Sequence, residues 1–207
     1  QAESDVTIIG TGGTGASSNY GVSVRSGVRS STGAVSITGT AVAGSTGNYN
    51  IGVNLDYYPP AVTGLTLTEP EQHMRNRLHQ KLDGSKTNHR VIAAVAEALP
   101  FPDHSFDAVV ITLVLCSVDH PVNSLMEIRR VLKPDGILAL IEHVGDNNSE
   151  RTFRWQKRLE PFWKKCAGNC HLTRNTLATL GKTGFCCNQI RTDTLRGAVS
   201  LVAPVLR

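Results

Sequence analysis

The stretch "FDAVVITLVLCSVDHPVNSLMEIRRVLKPDGILALIEHV", residues 106 to 144, decides the fold. Its first part, "FDAVVITLVL", is an apolar, β-branched run of the kind buried on both faces of a parallel sheet. Pro121 then opens a helix, because the first helical position has no use for an N–H. Val122, Leu125, Ile128 and Leu132 recur at helical spacing as an inward face, while Glu127, Arg129 and Arg130 face out. The turn "KPDG" ends this helix, and "ILALIEHV" returns as a second strand. Strand, helix and strand in this order predict an α/β fold, a parallel sheet covered by helices.

The alternation extends upstream. "AVTGLTLTE" reads as a strand ending in Glu69, and "PEQHMRNRLHQKL" sets Met74, Leu78 and Leu82 on one helical face, with Glu71 four residues before Arg75 as a supporting ion pair. "HRVIAAVAEAL" reads as another strand buried on both faces. Ligands of such sheets bind outside the carboxyl ends of the strands. That rule directs attention to Glu69, Ala96, Glu97, Cys116, Ser117, Glu142 and His143.

Composition narrows the function classes. A chain of 207 residues suggests one main domain with an appendage, since domains run to about 100–200 residues. Its 21 Lys and Arg against 17 Asp and Glu give a net charge of +4, spread without a basic run, so no nucleic-acid partner is expected. No apolar stretch approaches the roughly 20 residues of a membrane span. The N-terminal "QAESDVTIIG" lacks the basic-then-apolar order of a secretion signal, and the chain reads as soluble and cytoplasmic. Five cysteines are an odd number for a disulfide framework and fit a reducing compartment. "CAGNCH" offers Cys166, Cys170 and His171 as zinc ligands, but the spacing is loose, and free thiols without a metal are the expectation.

Residues 1–50 are of another kind, rich in Gly, Ser, Thr and Val, with only Glu3, Asp5, Arg25 and Arg29 charged. "VTIIGTGGTGASSNYGVSV" from Val6 matches "VSITGTAVAGSTGNYNIGVNL" from Val35, and the pattern resembles repeats of filamentous-haemagglutinin-type adhesins. Two copies fall short of the about three that a stacked core needs. Gly10, Gly12 and Gly15 could instead form a dinucleotide-binding turn, but strand-like residues rather than a helix follow them, and no acid lies between Asp5 and Asp56. The expected division is a β-repeat-like segment, 1–50, and an α/β domain, 51–207.

"AEALPFPDHSFDAVVITLVLCSVDHP" followed by "EIRRVLKPDGILALIEHV" resembles the class I S-adenosylmethionine-dependent methyltransferases of the type 11 group. Within it, "LVLCSV", "EHV" and "RWQKRLEPFWKKCAGNCHLTRNT" are similar to the alkyl-thiol methyltransferase-like branch, the likeness running from about Gly52 to Arg207. The resemblance implies a Rossmann-like sheet, S-adenosylmethionine as cofactor, and a small-molecule acceptor that is a thiol or a hydrophobic compound. It places Glu69 on the ribose hydroxyls and Ala96, Glu97 and Leu99 along the adenine, with Val95 where family members often carry an acid. Leu115, Cys116 and Ser117 would lie beside the sulfonium and the acceptor. A thiol reacts as its thiolate, which makes His143, His120 and His171 candidates for its proton. The expected catalytic set is His143, Cys116 and Ser117. Trp155, Phe162 and Trp163 would either cover a hydrophobic acceptor or pack a helix on the sheet.

The chain departs from the family at the first glycine motif. Its three glycine positions fall on Asn48, Asn50 and Gly52, leaving Gly52 as the cofactor-binding glycine. Asn tolerates a positive φ, but two added side chains crowd the ligand. The acid of the preceding strand is also missing from "AVSITGTAVAGS", and weakened cofactor binding is expected. The first strand cannot be omitted without exposing both neighbours, so the repeat-like Ala34–Ala43 is expected to supply it. "LVAPVLR" resembles the turn ahead of a last strand, which predicts a sheet lacking an edge. The alternative function is a non-catalytic hybrid with a methyltransferase-like fold and no turnover.

Overall fold

The computed structural model describes residues 8–9, 23–24, 34–39, 64–83, 89–194 and 204–206. Strands β1 (Ile8–Ile9) and β2 (Ser23–Val24) form a two-residue antiparallel pair. The main sheet is built from β3 (Ala34–Gly39), β4 (Gly64–Thr68), β5 (His89–Ile92), β6 (Phe106–Thr112), β7 (Leu132–His143), β8 (Thr192–Thr194) and β9 (Pro204–Leu206). Their spatial order is β5-β4-β3-β6-β7-β9-β8. The five strands from β5 to β7 run parallel, and β9 lies antiparallel between β7 and β8. Pro204–Leu206 is thus a paired strand, not the turn ahead of a missing one, and the expectation of an absent edge is corrected.

Helices α1 (Gln72–Leu82), α2 (Pro121–Val131), α3 (Glu150–Cys166) and α4 (Thr176–Lys182) connect and cover these strands. Each start has a local cause. Glu71, Ser149 and Asn175 accept an N–H of the first turn in α1, α3 and α4, and Pro121 stands at the start of α2. Glu71 therefore acts as a cap rather than as a partner of Arg75, whose guanidinium donates to the carbonyls of Glu69 and Pro70 instead. Among the described residues no helix is long and apolar enough to cross a membrane.

The period of two along β6 divides the core. Ala108 and Val110 join Leu65, Leu67, Leu78 and Leu82 on the α1 face, while Val109 and Ile111 join Leu125, Ile128 and Val131 on the α2 face. Burying each of the larger of these side chains is worth about 1.5–3 kcal/mol, which makes β6 the centre of stability. Three details differ from expectation. Val122 is exposed, and the inward face of α2 is Ser124, Leu125, Ile128 and Val131. β5 is only partly buried because it is the edge strand. "KPDG" does not precede β7 but is looped out inside it, between the pairs Phe106–Leu132 and Ala108–Ile137, with Lys133 bonded to Asp107 at 2.8 Å.

Candidate functional site

Strand order changes direction between β3 and β6, so the carboxyl ends of these strands, Gly39 and Thr112, mark the switch point at which open α/β sheets take ligands. Three chain segments meet around it: the loop after β6, the end of β7, and the link between α3 and α4.

The last residue but one of β7, Glu142, is completely buried. Its Oε1 accepts the N–H groups of Val114 (2.8 Å) and Leu115 (2.9 Å), and its Oε2 that of Cys116 (3.0 Å). Leu113, at φ 56°, turns the chain so that these successive N–H groups converge on one anion. Burial pushes the Glu142 carboxyl up, against the pull of the three donors. The carbonyl side of the same loop is held by the link. Arg174 donates to the carbonyls of Leu115 and Val118, the His171 N–H to that of Cys116 at 2.7 Å, and the Asn169 amide to that of Ser117 at 2.8 Å and to Asp119 at 2.9 Å. Burial lowers the pKa of Arg174, opposed by the electrostatic pull of Cys116, Glu142, Cys170 and Glu160. The result is a loop whose donors and acceptors are both committed, and whose side chains are therefore held in place.

Inside this clamp Cys116 and Cys170 are 1% and 3% exposed, and His143 is half-buried. One ligand-capable atom from each lies within 4.8 Å of the others. His143 Nδ1 is 3.3 Å from Cys170 Sγ, and Cys116 Sγ is 3.6 Å from Ser117 Oγ. The Cys116 thiol is pushed well up by its hydrogen bond with Cys170, by burial and by the Glu142 charge. The Cys170 thiol is drawn down by that same bond and, against burial, by the Trp163 indole. The Trp163 indole nitrogen is buried without a hydrogen-bond partner. Of this pair, Cys170 ionises first.

The three candidate histidines separate. His143 joins the thiols. His171 turns its Nδ1 to Glu160 (3.2 Å), which also accepts from Thr173, and burial together with Arg174 and Lys164 lowers its pKa. His120 is exposed at the start of α2, its N–H 3.3 Å from Glu97 Oε1.

The cofactor-side residues lie farther along the same edge. Glu69 is 2% exposed at the end of β4 and accepts the Glu71 N–H at 3.0 Å. Ala96 and Leu99 are buried with Leu115 in the core, and Glu97 is half-buried. Their turn is tied to α2, the Leu99 N–H donating to Glu127 (3.0 Å) and the Leu99 carbonyl accepting from Arg130 (2.9 Å). Gly52, with Asn48 and Asn50, lies outside the described residues. On α3, Trp155 and Phe162 are 47% and 69% exposed, and only Gln156 is fully buried. A groove of about 870 Å³ between β7 and α4 contains none of the site residues.

Residue-by-residue reading missed what holds the site together. Glu142 carried a signal, because an acid at the end of a doubly buried strand needs partners to be tolerated. Asn169 and Arg174 carried none, lying more than fifty residues from the carbonyls they bind.

Residues 47–140 match the family described as a methyltransferase domain. Thiol S-methyltransferase TMT1B of Rattus norvegicus is 38% identical over 137 residues, covering 65% of this chain and 56% of that protein. The chain thus spans a little over half the length of the curated relatives it matches. Among solved structures, an S-adenosylmethionine-dependent methyltransferase from Thermotoga maritima aligns at a TM-score of 0.52 and 22% identity, covering 84% of this chain and 74% of that one. The [4+2]-cyclase SpnF aligns at 0.55 and 22%, covering 77% and 54%. At such identities the likeness shows the fold alone, and a cyclase on it is a reminder that chemistry resides in the site.

Proposed function

We propose that the chain is a class I methyltransferase that transfers a methyl group from S-adenosylmethionine to a small-molecule thiol. What supports this reading is the clamped loop Val114–Asp119 after β6, whose Cys116 lies in one cluster with His143.

The residues present fit the cofactor. Glu69 is a buried carboxylate at the end of β4, suited to a ribose diol, and Ala96 and Leu99 offer an apolar bed for a purine beside Glu97. Gly52 is assigned the approach to the methionine portion. The cofactor supplies an electrophilic methyl group on a sulfonium. The protein's task is to align the acceptor with it and exclude water. Leu115 and Ser117, fixed by Glu142, Arg174 and Asn169, hold the acceptor side of the crevice. His143 is the group we assign to the acceptor's proton, a reading supported by its half-buried ring beside the sulfurs of Cys116 and Cys170. Cys116, fully buried and with its thiol pushed well up, is not the attacking group. Free cysteines throughout the described residues are consistent with a reducing, cytoplasmic setting.

Titration of the full chain with S-adenosylhomocysteine by calorimetry tests this reading. Binding is expected, and Glu69→Ala should weaken it at least about tenfold, the loss of one charged hydrogen-bond partner. No heat at millimolar ligand rules the enzyme out; binding indifferent to Glu69→Ala rules out the ribose assignment. Thiols should be methylated in preference to phenols and amines.

A further inference from the structure

We propose that Cys116, Cys170 and His143 form a site for one soft divalent cation, of the zinc type, whose fourth position takes a thiol. The ligand set is soft, two sulfurs and an imidazole nitrogen. Ligand number matches zinc sites that keep one position open for water or substrate. Distances agree as well. Tetrahedral zinc at ordinary bond lengths separates two sulfurs by about 3.8 Å and a sulfur from a nitrogen by about 3.6 Å. Here the three atoms lie within 4.8 Å of one another, and Nδ1 of His143 is 3.3 Å from Cys170 Sγ, so side-chain shifts of up to about an ångström suffice.

The surroundings are those of a built site. The Cys116 backbone is fixed at both ends, its N–H on Glu142 and its carbonyl on the His171 N–H, and Cys170 is carried by the link that binds the same loop. His143, half-buried, is the ligand on the solvent side and marks the entry path. Neither Cys166, exposed at the end of α3, nor His171, held by Glu160, takes part, so the ligands differ from those that "CAGNCH" suggests.

The cation site stands on this geometry alone; its thiol position rests on the thiol-methyltransferase reading. A thiol R–SH binding there gives its proton to solvent and stays on the metal as thiolate. Attack of that sulfur on the sulfonium methyl forms the new S–CH3 bond while the old one breaks, leaving R–S–CH3 and S-adenosylhomocysteine. With the ion bound, His143 is a ligand, and the cation takes over the work of lowering the acceptor's pKa.

Anaerobic titration of the metal-stripped full chain with cobalt(II) tests the proposal without any methyl donor. One equivalent per chain should give sulfur-to-cobalt charge-transfer absorption. Cys170→Ser and His143→Ala should each weaken binding more than the about 10–100-fold typical of outer-shell changes, while Cys186→Ser leaves it unaltered. Absence of the band, its survival in both variants, or a Cys116–Cys170 disulfide in the anaerobically purified chain overturns the site. A small thiol should shift the ligand-field bands of the cobalt form; an unshifted spectrum overturns the open position. Cobalt binding with no S-adenosylhomocysteine binding would leave the metal site standing and remove the methyltransferase reading.

Discussion

Glu142 is the residue on which the site's geometry turns. A carboxylate with three backbone donors and complete burial cannot be replaced by a carboxamide without setting an NH2 group against an N–H. Glu142→Gln should therefore lower the unfolding free energy by about 1–3 kcal/mol, the cost of leaving a buried donor unsatisfied, measured by urea denaturation. Glu127 supplies a pH dependence. Arg130 holds its carboxyl below the usual range, helped by the Leu99 N–H and opposed by burial. A depressed folded pKa stabilises above the unfolded value of about 4.3, and the contribution disappears as pH falls through the folded value. The stability difference between wild type and Glu127→Gln should thus be constant near neutrality, at most about 1 kcal/mol for a partly exposed pair, and shrink in acid below about pH 4.3. A difference unchanged down to pH 3 would show that the ion pair contributes nothing.

At the level of elements, the link between α3 and α4 acts as a brace for the loop after β6. Arg174 reaches two of that loop's carbonyls at once, Leu115 and Val118, which a single ammonium cannot do. Arg174→Lys should lower kcat by about 10–100-fold, the effect of an ångström-scale misplacement, while calorimetric affinity for S-adenosylhomocysteine changes little. A parallel loss of both would make Arg174 part of the cofactor site instead. The existence of these elements was legible in the sequence: Met74, Leu78 and Leu82 do form the buried face of α1, and Leu125 and Ile128 that of α2. The brace was not, because a side chain's reach to a carbonyl more than fifty residues away leaves no periodic trace. Glu71 shows the same limit locally: its spacing fits both an ion pair with Arg75 and a cap on Met74, and only the backbone path selects the cap.

Across the whole molecule, the decisive pairing is that of β3 with β4 on one side and β6 on the other, five register pairs on each. Deleting residues 1–33 should leave cooperative thermal unfolding intact, whereas deleting 1–43 should abolish it, because β4 and β6 would each lose a full ladder in the middle of the sheet. Cooperative unfolding of the shorter chain would show that β3 is dispensable. By itself the sequence determined the α/β class, the doubly buried β6, the buried face of α1 and part of that of α2, and that Glu69 and His143 stand at strand ends. These follow from local period and from the rule that open sheets take ligands at their carboxyl ends. Only the tertiary structure decided that Pro204–Leu206 joins β7 to the edge strand β8, that Glu142 and Arg174 clamp one loop from opposite sides, and that Cys170 rather than Cys166 meets Cys116 and His143. Each of those is a contact between residues distant in the chain, and which of several plausible partners a side chain meets is settled by how the strands and helices carrying them pack.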